Sequence, residues 1–207
     1  MSIVTLNDRA VRSVTTFGSL NTGSMVFIKK LTASSSGALS FVNGTSDVVL
    51  DSTYKEYVFT LNNMHPQTSG NNPKMTASTN TGSSYGVTAT TTDFRATHDE
   101  SGGSTGVTYR TATDLAQSTD PVHIFGGTGT GNENDECAVG IIHLFNPSST
   151  TFVKHFIART HGYSDDDRAY SNFSAGYFNT TSAIDAIQFA NASGNMDAGD
   201  ICLYGIL

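Results

Sequence analysis

The stretch CAVGIIHLFNPSSTTFVKHFIAR, residues 137–159, limits what this chain can become more than any other. Side chains alternate across an extended backbone, so Val139, Ile141, His143 and Phe145 share one face. Ala138, Gly140, Ile142 and Leu144 share the other. Both faces are largely apolar, which places this segment inside a sheet rather than at its edge. Asn146-Pro147-Ser148-Ser149 is a turn: proline presets φ, and Asn and Ser bond their own backbone. Phe152-Val153 and Phe156-Ile157 then resume an extended apolar run. The expectation is a central hairpin. If Phe145 pairs with Phe152, His143 and His155 fall on opposite faces.

Similar, weaker signals punctuate the rest of the chain. MVFIKKLT (25–32) reads as a strand, SSSG (34–37) as a turn and ALSFV (38–42) as the returning strand. Asn43-Gly44 marks a tight turn. YKEYVFTLN (54–62) sets Tyr57, Phe59 and Leu61 on one face and Val58 and Thr60 on the other. Residues 74–79, 84–92 and 94–98 are thinner strands, rich in Thr, each with one solvated face. Residues 99–106, 126–136 and 161–170 read as polar loops. Residues 111–120 have room for one helical turn. Residues 107–110, 122–125, 173–178, 183–190 and 200–207 complete ten to twelve strands with turn signals near every tenth residue. That spacing belongs to sandwiches and jelly rolls. The expected fold is all-β: a jelly-roll-like antiparallel β-sandwich over residues 25–207, a single domain preceded by an N-terminal arm or short strand over 1–24.

Composition supports this and removes several function classes. The chain has 207 residues, enough for one β domain to bury a core without staples. Only 14% of residues are charged, and Ser, Thr, Gly and Asn fill the gap. Abundant Thr, Val, Ile, Phe and Tyr favour strands over helices. A net charge of −7 argues against a nucleic-acid partner, which needs clustered Lys and Arg. The one basic pair, Lys29-Lys30, reads as a solvated edge. No segment approaches the ~18 apolar residues of a membrane helix, so no membrane partner is expected. The first residues lack a charged start followed by an apolar stretch, so assembly in a cytoplasm is expected. Cys137 and Cys202 sit in apolar strand contexts and read as buried free thiols.

Few residues suggest chemistry. The glycine run in GGTGTGNENDE is followed by Glu133, Asp135 and Glu136, which repel phosphate, and by no helix pattern. Asp165, Asp166 and Asp167 are candidate calcium ligands, since calcium takes carboxylate oxygens. Consecutive residues point apart, however, and a solvated acidic turn is the plainer reading. His65, His98, His123, His143, His155 and His161 lack zinc spacing and read as packed or surface side chains. No GxSxG elbow is present. The Asn-x-Ser/Thr matches are expected by chance in such a composition. No cofactor and no catalytic residue is expected.

Beside this reading stands a resemblance. HLFNPSSTTFVKHF (143–156), FSAGYFNTTSAIDAIQF (173–189) and SGNMDAGDICLYGIL (193–207) are similar to small virion structural proteins of tailed bacteriophages, especially marine ones. IKKLTASSSGALSFVNG (28–44) and TYKEYVFTLNNMHP (53–66) resemble the same group, while residues 67–136 match in character only. The resemblance implies a non-enzymatic β-sandwich component of a phage particle, assembled in the host cytoplasm and resident in the virion. A capsid decoration (cement) protein or a short appendage such as a fibre or spike is expected. It would act by self-association as a homotrimer and by docking on capsid or tail components. The rival is a carbohydrate- or receptor-binding module at a tail fibre tip, recognising host surface glycan. That rival would gather tyrosines such as Tyr54, Tyr85, Tyr109, Tyr163, Tyr170 and Tyr177 on one concave face.

Overall fold

The alternating runs of the sequence become twelve strands and no helix among the described residues. The computed structural model of the chain describes residues 24–125 and 129–207. The expected arm, residues 1–24, lies outside the described residues except for Ser24. The strands are β1 (Met25–Thr32), β2 (Ala38–Val42), β3 (Glu56–Pro66), β4 (Pro73–Ser78), β5 (Ala89–Asp99), β6 (Thr105–Tyr109), β7 (Val122–His123), β8 (Ala138–Phe145), β9 (Lys154–Tyr163), β10 (Arg168–Phe178), β11 (Ala186–Asn191) and β12 (Met196–Ile206). They form an eight-stranded sheet, ordered β1-β12-β3-β8-β9-β10-β5-β6, and a four-stranded sheet, ordered β2-β11-β4-β7. Every pairing is antiparallel. The chain passes between the sheets repeatedly, as expected of a jelly-roll-like β-sandwich, but divides its strands unevenly.

One core lies between the sheets. From β3, Tyr57, Phe59 and Leu61 point inward, as their alternation predicts, joined by Ile142 and Leu144 of β8 and Ile201 and Leu203 of β12. The small sheet answers with Phe41, Met75, Ile187 and Phe189. Phe59 meets Phe41 at 5.3 Å and Phe189 at 5.4 Å between ring centroids, both edge-on, the arrangement aromatic quadrupoles favour. These three rings, from three strands of two sheets, close the sandwich at its centre.

The segment 137–159 does lie inside the large sheet: β8 runs between β3 and β9. Its register differs from the conditional one above. Leu144 pairs with Phe156 and His143 with Ile157, and residues 146–153 form a longer connection. Asn146 takes a positive φ of 47° and its carbonyl accepts from Ser149. Ser149 Oγ then accepts the amides of Thr151 and Phe152. Those side-chain bonds compete with the ladder, so Phe152 sits in the loop, 68% exposed. His143 and His155 therefore share the outer face rather than opposing ones.

Two other expectations are corrected and a third is met. β2 does not return along β1. It crosses to the other sheet and pairs with β11, which sets Leu39 and Phe41 on the inner face. Residues 161–170 are mostly strand: β9 and β10 turn through Ser164–Asp167 only, a four-residue link closed by Ser164 N–H to Arg168 O. Residues 111–120 open with the single turn the sequence leaves room for and form no longer helix. The turn there is closed by Thr113 and Asp114 amides on the Arg110 carbonyl. Cys137 and Cys202 are free thiols, each half-buried.

Candidate interaction surface

Because the small sheet covers one side of the large sheet, the other side is left open by the described residues. The registers place its outward residues in rows. One row runs Phe27, Tyr204, Val58, His143, Ile157, Ala175 and Thr92. The next runs Lys30, Cys202, Thr60, Ile141, Arg159, Phe173, Phe94 and Tyr109. Outside these lie Met25, Ile206, Phe145 and Tyr177 on one side, and Val139, His161, Ala96 and Val107 on the other. Nine large apolar side chains are exposed among the described residues, and seven of them stand here: Met25, Phe27, Phe94, Val107, Tyr109, Val139 and Ile157. Eight strands spaced by about 4.8 Å make this face about 34 Å wide.

The rings on it are organised. Phe94 stacks on Phe173 at 4.9 Å with 6° between planes, and the Arg159 guanidinium lies 5.2 Å from the Phe173 centroid. Phe27 meets Tyr204 edge-on at 5.7 Å. His155 and Tyr177 stand 5.9 Å apart beside Phe145 and Ile157. Charge is sparse. Glu56 pairs with His143, Nδ1 to Oε1 at 2.5 Å, and Asp200 pairs with Lys30 at 3.3 Å near the rim. Most other carboxylates occupy turns away from the face. The seven exposed apolar groups are interspersed on this face with Glu56, Thr60, Asn62, Arg159, His161 and Ser171.

The calcium candidates do not share a cradle. They form the β9–β10 turn. Asp166 accepts from Ser164 Oγ and from Tyr170 Oη (2.8 Å), and pairs with Arg168 at 3.1 Å. Asp167 accepts from Tyr163 Oη at 3.2 Å, and Asp165 faces Ser69 Oγ at 3.5 Å. Hydroxyl donors and Arg168 hold the Asp166 carboxyl below its ordinary range, against the opposing effect of partial burial. No group of three or more His, Cys, Asp or Glu placed to hold a metal ion occurs among the described residues. The histidines disperse: His65 binds Asp197 (2.7 Å) and the Glu133 carbonyl, whereas His123 is pushed down to about 4 by burial and by Lys74.

The tyrosines disperse too. Tyr109 and Tyr177 lie on the open face, Tyr54 packs on Tyr57, Tyr163 sits at the β9–β10 turn, and Tyr170 lies inside under Arg95 at 4.0 Å. No concave face collects them.

A second feature escaped sequence reasoning. Beyond the small sheet, the inner faces of β5 and β10 carry buried polar groups: Thr91, Asp93, Arg95, Asn172 and Ser174. Asp93 accepts from Thr113 Oγ1 and, at 3.0 Å, from Ser174 Oγ. Burial pushes its carboxyl up; the hydroxyls and the charges of Arg110 and Arg95 oppose that. The alternation Thr91, Asp93, Arg95 was visible but reads as a solvated face; the loop after β6 covers it. Lys154 is likewise fully buried, its Nζ donating to the Thr180 carbonyl at 3.0 Å. Thr91, Asp93, Ser174 and Lys154 are bound into the fold by named hydrogen bonds, and none of them faces an open cleft with a second carboxylate. Comparison with known proteins gives no matching family, no similar curated protein and no similar solved structure.

Proposed function

We propose that this chain is a non-enzymatic structural component of a tailed-phage particle, a capsid decoration or short appendage protein that works by association. The open face of the eight-stranded sheet carries this reading. Seven exposed apolar side chains on one rigid surface, with one carboxylate–histidine pair near its middle, suit a surface that becomes buried against protein. The resemblance of residues 143–156, 173–189 and 193–207 to phage virion proteins supplies the particle, and with it three copies as the unit. Capsid or tail proteins are the further partners. The glycan-binding alternative loses support from the scattered tyrosines. The test is the solution mass of the full chain by light scattering across a concentration series. A stable trimer is expected; a monomer at every concentration would reject the reading and direct attention to a glycan array.

A further inference from the structure

The two sheets have four edges, and they are not alike. An edge strand shows unpaired amides and carbonyls to any extended chain, so folded proteins blunt it with charge, bulges, proline or shortness. β1 has a bulge between Phe27 and Lys29 and the pair Lys29-Lys30. β7 is two residues long and follows Pro121. β2 has Leu39 and Phe41 buried, and its Val42 carbonyl is already taken by the Thr45 amide. β6, Thr105-Gly106-Val107-Thr108-Tyr109, has none of these. It is uncharged, keeps an unbroken register with β5, and is exposed along its whole length.

The backbone accounting is definite. Asp99 N–H donates to Ser104 O, and Arg110 N–H to Asp93 O. These fix the hydrogen-bonded pairs of the β5–β6 ladder, which alternate along an antiparallel pair. Gly106 and Thr108 therefore bond toward β5. Thr105, Val107 and Tyr109 turn three N–H and three C=O groups outward. Val107 is central and 73% exposed.

We infer that β6 is a strand-addition edge whose occupant is β6 of a second copy, related by a two-fold axis through Val107. In that register Val107 faces its own counterpart, and Thr105 faces Tyr109 of the other copy in both directions. All six outward groups are then satisfied in three hydrogen-bonded pairs. The contacting strand carries no charged side chain, so no like charges face each other along it. At each end Arg110 of one copy comes beside the 99–104 loop of the other, which carries Asp99 and Glu100. The open apolar faces of the two copies become continuous through Val107 and Tyr109. The inference rests on the reading of the chain as a self-assembling module, and adds a two-fold contact between units to the contact within them.

The test is residue-resolved amide hydrogen exchange on the full chain across a concentration series, beside light scattering. The expected result is alternation. Gly106 and Thr108 are protected throughout, and Thr105, Val107 and Tyr109 gain protection with concentration. Val107→Pro removes an outward N–H while sparing the β5 ladder, a position where edge strands accept proline. It should weaken the concentration-dependent step at least about tenfold, as loss of hydrogen bonds at one centre implies. Outward amides that exchange freely at all concentrations, in a protein that still associates, would overturn this inference and leave the proposed function standing. Protection independent of concentration and lost on deleting residues 1–23 would make the chain's own N-terminal segment the occupant, and would also overturn it. A protein monomeric throughout would remove both.

Discussion

The two faces of the eight-stranded sheet carry similar side chains and meet different fates. Inward, Phe59, Ile142, Leu144 and Leu203 lie under the small sheet with essentially no exposure. Outward, Ile157, Phe94 and Val139 come from β9, β5 and β8 of the same sheet and remain 53%, 42% and 40% exposed. Apolar character alone therefore does not say what a residue is for. Inner apolar groups hold the fold; outer ones are spare with respect to folding, and their cost in water is relieved only by a partner. Deleting an inner group should cost stability, and altering an outer one should cost association.

Phe59→Ala gives the largest expected effect. Phe59 touches the rings of both Phe41 and Phe189, so its loss opens a cavity at the junction of the sheets. Destabilisation of about 3–5 kcal/mol is expected in denaturant unfolding. A cost below about 1 kcal/mol would mean that these rings do not hold the sheets together.

Asp93→Ala follows. It removes the carboxylate that Thr113 and Ser174 donate to, leaving them the Arg110 and His123 carbonyls at 3.2 Å, and it takes a counter-charge from Arg95 and Arg110; a cost of about 1–3 kcal/mol is expected. An unchanged unfolding midpoint would show that the polar inner half of the sheet adds nothing to stability.

A smaller effect is pH-dependent. His123 is held neutral, its pKa lowered from 6.5 to about 4, so the folded state binds fewer protons than the unfolded one between those values. Its contribution is complete above about pH 6.5 and is lost as pH falls toward 4. Asp93 has the opposite sign: its raised pKa makes its contribution shrink as pH rises from the ordinary carboxylate range through the folded value. On acidification from pH 7 to 4.5 the His123→Gln variant should lose less melting temperature, or gain more, than the unaltered chain, since Asp93 and His65, with raised pKa values, act the other way in both. An identical slope in the variant would count against a desolvated His123.

Much of the fold was legible in the sequence because it follows period-two alternation. Tyr57, Phe59 and Leu61 were assigned to one face and all point into the core. The apolar character of both faces of 138–145 placed that strand inside the sheet. What alternation does not carry is pairing. The Ser149 hydroxyl lengthened the β8–β9 loop, and the small sheet drew β2 away from β1. The polar residues of β5 looked solvated because the loop covering them is distant in sequence. The open face could not be read for the same reason. An apolar outer residue looks the same in sequence whether a second layer or water lies above it; only the unequal sheet sizes decide.

The most direct test of the outer face is the solution mass of Ile157→Lys combined with Phe94→Lys, beside the unaltered chain at matched concentration. Both side chains are substantially exposed, so the melting temperature should move little. Below the concentration of the β6-mediated step, a trimer for the unaltered chain and a folded monomer for the variant is the predicted result. The same mass for both proteins would contradict the assignment of this face to association.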